Sequence, residues 1–155
     1  MLKPITIATA IAGTLDILAA IISTVIAGKS PIHMLQSVAS GPLGDVALTS
    51  PGYAAAGLLV HFALMACMAT AYMVAARQSG GLARLLLDRP ILAGALYGIV
   101  IWLVMYWVVM PLRFSAPHPS KLFPIAQQLF CHIVLVGIPI ALVATRYLRS
   151  RGPAR

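Results

Sequence analysis

Four apolar runs, at residues 5–27, 53–77, 90–112 and 123–147, limit what this chain can fold into more than any other feature. Each exceeds the roughly 20 residues that a helix needs to cross a hydrocarbon core of about 30 Å. Lipid offers no water to the backbone, so runs of this kind must be helices that satisfy their own amides. The expected fold is therefore an all-α integral membrane protein, with residues 1–155 forming one domain of four transmembrane helices. With 61% hydrophobic and 9% charged residues, a chain of this length lacks the polar surface of a soluble domain. The first run is read as a span and not as a cleaved signal peptide. It is longer than an ordinary signal core, carries an acid at its centre, and is followed by no clear small-x-small site.

A net charge of +8, eleven basic residues against three acidic ones, raises nucleic acid as a partner. The basic residues flank the apolar runs instead of forming a patch with aromatics, so the expected partner is the lipid bilayer and not nucleic acid. Lys3, Arg77, Arg84, Arg89, Arg146, Arg149, Arg151 and Arg155 lie on the side of the two termini, and only Lys29, Arg113 and Lys121 on the other. That excess predicts cytoplasmic N- and C-termini.

In the first outer loop, Ser30-Pro31 is a helix start and Gly41-Pro42 a helix stop, with Ile32, Leu35 and Val38 on one side. A short helix at the membrane interface is predicted there, a connector in preference to a lid. Cys67 and Cys131 fall at different depths and are not expected to pair. His118, between two prolines, reads as an exposed loop residue.

Asp16 is the only acid inside any apolar run. An ionisable group at bilayer depth costs a few kcal/mol, so it must face protein and marks a candidate site. It shares a helical face with Thr9, Gly13, Ala20 and Ser23, whose small size admits a neighbouring helix. The candidate partners are His61 and His132, which sit nearly level at about 5 Å outside the midplane if each span is centred. Tyr106 lies slightly further out, and Gln128 is one turn above His132. The expected polar cluster is Asp16, His61, His132, Gln128, Tyr106 and Tyr97. Gly13, Gly94 and Gly98 are the expected packing glycines, the last two as a GxxxG pair. His61, Leu64, Met65 and Met68 form a stripe read as packing, and Pro139 is expected to kink the fourth helix.

A faint repeat sets Ala12-Gly-Thr-Leu-Asp16 beside Ala93-Gly-Ala-Leu-Tyr97, and Leu59-Val-His-Phe-Ala-Leu64 beside Phe130-Cys-His-Ile-Val-Leu135. A duplicated hairpin would make the two histidines equivalent and Tyr97 the counterpart of Asp16. The stretches Gly13-Thr-Leu-Asp-Ile-Leu18, Leu92-Ala-Gly-Ala-Leu-Tyr-Gly98, Val108-Val-Met-Pro-Leu112 and Gly137-Ile-Pro-Ile-Ala-Leu142 resemble an uncharacterised family of small four-helix bacterial inner-membrane proteins. That resemblance implies the fold and the bacterial inner membrane, and carries over no activity.

The expected function is that of a non-enzymatic accessory or interaction protein, a homodimer or part of a larger membrane complex, with no cofactor and no metal. Two alternatives stay open. One is proton or small-solute transport through an Asp16/His61/His132 relay. The other is a b-type haem held by His61 and His132. A lipid-directed enzyme would need a nucleophile with its base, paired carboxylates or a phosphate-cradling loop, and none is convincing.

Overall fold

The computed structural model describes residues 1–78, 80–114 and 121–149. His118 with its flanking prolines and the tail arginines Arg151 and Arg155 lie outside the described residues. All the regular structure described is helical. Helix α1 is Leu2–Ile26 and α3 is Tyr53–Arg77; the third and fourth long helices are α5, Pro90–Phe114, and α6, Leu122–Arg149. These four are long and apolar enough to cross a membrane. Two shorter α-helices, α2 at Pro31–Leu43 and α4 at Gly81–Asp88, and a 3-10 turn at Asp45–Leu48 connect them.

The spans pack through small side chains. Ala8 and Ala12 of α1, Ala69 and Ala76 of α3, Ala93 of α5, and Ala141 and Ala144 of α6 are buried around Tyr72, Met73, Val136 and Ile140. Large apolar residues point outward: Leu18, Ile22, Leu59, Leu103, Val108 and Leu142 are all exposed. In water that arrangement would be inverted; in lipid it is what helix association requires, because tails solvate leucine as well as protein does. The α3 stripe differs in register from the sequence reading. His61 and Met65 are buried and Met68 is partly buried against the core, but Leu64 faces outward; the buried line continues through Ala69 and Tyr72.

Helix α2 begins as its sequence dictates, with the Ser30 hydroxyl accepting from the His33 amide at 3.4 Å. It runs past Gly41-Pro42 and ends at Gly44, whose φ of 77° lies in the left-handed region that glycine tolerates. Pro42 is accommodated in the last turn, where its missing N–H leaves a single carbonyl without a helical donor. Three contacts hold α2 in place. Gly57 of α3 lies against it so closely that a Cβ there would stand 1.9 Å from the Leu35 carbonyl oxygen. Gln36 donates to the Ser50 carbonyl at 2.9 Å. Arg113, at the end of α5, donates to the carbonyls of Ser40 and Gly41. At the opposite end of the bundle, Tyr72 donates to the Leu86 carbonyl at 2.9 Å and fastens α4.

Neither α5 nor α6 is α-helical throughout. Met105–Val109 and Cys131–Gly137 are π-helical. Each wide stretch ends two residues before a proline, Pro111 or Pro139. A ring in the helix interior removes a donor and crowds the preceding carbonyls, and a widened turn relieves both. The helix adjusts ahead of Pro139 through this π segment, and ahead of Pro111 through a second one.

Candidate functional site

Gly13 lets α1 and α3 touch. A Cβ there would stand 2.7 Å from the Phe62 ring and 3.4 Å from Met65. At this distance His61, which is 8% exposed, reaches the Gly13 carbonyl with Nε2 at 3.0 Å. The partner is a carbonyl, so Nε2 must carry the hydrogen, leaving Nδ1 as the bare nitrogen of the neutral ring. His132 is fixed differently: its Nδ1 donates to the Gln128 carbonyl one turn back, at 2.8 Å. The bare nitrogen of neutral His132 is then Nε2.

The α5–α6 contact is made by three glycines. A Cβ on Gly94 would lie 2.6 Å from Ile138 Cα, one on Gly98 2.3 Å from the His132 carbonyl oxygen, and one on Gly137 2.1 Å from the Gly94 carbonyl oxygen. Backbone on backbone, this contact places the His132 ring edge-on to Tyr106, with centroids 6.3 Å apart. Tyr106 in turn stacks on Trp102 at 5.7 Å.

Asp16 is half-buried and lies within electrostatic range of His132, His61, Tyr106 and Cys131. Among the described residues no side chain donates a hydrogen bond to its carboxylate, so the centre is a group of neighbouring charges and dipoles and not a bonded triad. A turn or two away on the same α1 face, the Ser23 hydroxyl accepts from the Gln127 amide at 2.6 Å. That bond joins α1 to α6.

The expected residues thus divide. Asp16, His61, His132 and Tyr106 come together. Gln128 contributes its main-chain carbonyl, while the interhelical side-chain bond belongs to Gln127, which the sequence did not single out. Tyr97 lies elsewhere: it donates to the Met68 carbonyl at 2.8 Å and packs edge-on to Tyr72 at 5.1 Å. Gly57, Gly137 and Cys131 were likewise not among the expected site residues. Glycine doublets at four-residue spacing point to close packing on their own helix, but the glycine that receives them stands alone in sequence.

The residues present do not fit a bis-histidine haem. His61 spends Nε2, the nitrogen a haem iron would need, on the Gly13 carbonyl of α1. Among the described residues, no three His, Cys, Asp or Glu side chains stand close enough to share a metal ion. Cys67 and Cys131 are free thiols. No protein-family model, curated protein or solved structure matches this chain, so its four apolar spans and the geometry of this centre are the basis for any functional reading.

Proposed function

We propose that this chain is a non-enzymatic accessory protein of the bacterial inner membrane, whose polar centre fixes the register of its helices. The observation that carries this reading is the His61 bond to the Gly13 carbonyl. It spends the imidazole N–H on a neighbouring span, as a register-setting contact requires. The glycine contacts of α5 and α6 act in the same sense.

Both termini are cytoplasmic in this reading, because the loops at that end carry most of the Lys and Arg. Helix α2 then lies at the outer interface as a fixed connector, and its three anchors argue against a lid. A duplicated hairpin is supported by matched packing: Ala12-Gly13 and Ala93-Gly94 are both buried, each glycine against the next long helix. In this reading the chain works as a homodimer or within a larger membrane complex.

A relay for protons is the second reading. It is favoured by the bare nitrogen left on His61 and on His132, two residues within electrostatic range of Asp16, and by the π-helical stretch that carries His132, since such segments recur at functional sites. Replacing His61 by Phe and by Gln separates the two readings. If the role is structural, His61→Phe loses about 0.6–1.7 kcal/mol in detergent unfolding, the range of interhelical bonds in membranes, and His61→Gln, which keeps a donor, loses less. A His61→Phe protein of parental stability that has lost proton flux would overturn the structural reading.

A further inference from the structure

Far from the polar centre, a cleft of about 230 Å³ opens where the start of α1, the end of α3, α4 and the last turns of α6 meet. Pro4, Ala76, Leu87 and Leu148 give it apolar walls, and Arg77 and Tyr147 supply the polar lining. The charge around it is one-sided. Lys3, Arg77, Arg84, Arg89 and Arg146 are exposed at this end, and the one acid there, Asp88, is already paired with Arg149. Among the described residues the Arg77 guanidinium has no carboxylate partner.

The adjoining helix shows which phase the cleft faces. Helix α4 presses Ala83 and Leu86 on the bundle, while Leu82 is 58% and Leu85 38% exposed beside Arg84. Outward leucines flanked by arginines belong to a helix lying along a membrane interface, its apolar side among acyl chains. The mouth of the cleft therefore sits at headgroup level.

We propose that this cleft binds the phosphate-bearing headgroup of an anionic phospholipid. Arg77 meets the phosphate, and Pro4, Leu87 and Leu148 meet the glycerol and the first methylenes. Basic pockets between membrane helices on the cytoplasmic side take such headgroups. The volume is below the 300–1,000 Å³ of pockets that enclose drug-sized ligands, which suits a headgroup whose chains remain in the bilayer. The apolar walls favour a lipid over free phosphate, which would leave them unused.

The test titrates the full-length protein in mild detergent with dioctanoyl phosphatidylglycerol, dioctanoyl phosphatidylcholine and inorganic phosphate, counting bound molecules by native mass spectrometry. Saturable binding of the phosphatidylglycerol alone is expected. Arg77→Gln weakens it about fivefold, the ratio that corresponds to the ~1 kcal/mol of one interfacial cation. Arg77→Lys keeps most of it, and Arg84→Gln, outside the cleft, leaves it unchanged. Arg77 is exposed, so unfolding in phosphatidylcholine should not distinguish these variants. Equal losses in Arg77→Gln and Arg84→Gln would replace the site by a diffuse surface field and overturn the proposal. Binding of phosphatidylcholine or of inorganic phosphate at the same strength would overturn it as well.

Discussion

Substituting Gly98 by Ala probes the contact that holds the second histidine in place. The added Cβ would stand 2.3 Å from the His132 carbonyl oxygen, 2.6 Å from Ile133 Cα and 2.7 Å from the His132 carbonyl carbon. Ordinary contact begins at 3.4 Å, so the shortfall is about 1.1 Å. All three atoms belong to the α6 backbone and none can rotate aside, so α5 and α6 must separate. Overpacking of this kind costs about 1–3 kcal/mol, and the better helix propensity of alanine returns at most about 1 kcal/mol. From the middle of that cost range, about 2 kcal/mol, a net loss of about 1–2 kcal/mol follows. Two further alanines calibrate the number. Gly13→Ala meets the Phe62 ring at 2.7 Å, a side chain that can turn, and should cost less; Gly81→Ala meets nothing within 4 Å and should be neutral or slightly stabilising. The assay is reversible unfolding by SDS from mild detergent micelles, followed by helical circular dichroism. If Gly98→Ala fell within about 0.5 kcal/mol of the parent, the range of an exposed surface site, the backbone contact would not exist as described.

Two other substitutions follow from single side chains. Trp102 is buried and its indole N–H has no partner among the described residues; an unsatisfied buried donor costs about 1–3 kcal/mol, so Trp102→Phe should leave the unfolding midpoint unchanged or raise it. Arg113→Met removes the cation from the C-terminus of α2, where it meets the Ser40 and Gly41 carbonyls. A loss of about 0.3–1 kcal/mol is expected, with faster amide exchange at Gly44 while the α1 and α3 amides stay protected.

The spans were legible because lipid imposes length and apolarity on any segment that crosses it. The spacing of Gly94 and Gly98 marked them as packing glycines, but neither the helix they meet nor their receiver, Gly137, was legible. Pro139 marked where α6 must adjust, yet a proline announces the difficulty and not the remedy; the π segments at Cys131–Gly137 and Met105–Val109 depend on what the neighbouring helices allow. His61 was legible as a candidate, but its partner is a main-chain carbonyl of α1, and no side-chain pattern encodes that. Tyr97 entered the expected cluster by analogy with Asp16 through the repeat. Its hydroxyl and ring are taken up by the Met68 carbonyl and the Tyr72 ring of α3, so it belongs to a contact apart from the Asp16 centre.

The structural role of the polar centre is tested most directly by proton flux. Full-length protein and its Asp16→Asn variant, reconstituted into vesicles carrying a pH-sensitive dye and an imposed potential, should both match empty vesicles, because a centre that fixes register conducts nothing. Flux in the parent that Asp16→Asn abolishes would contradict the account, and would make Asp16, His61 and His132 a relay.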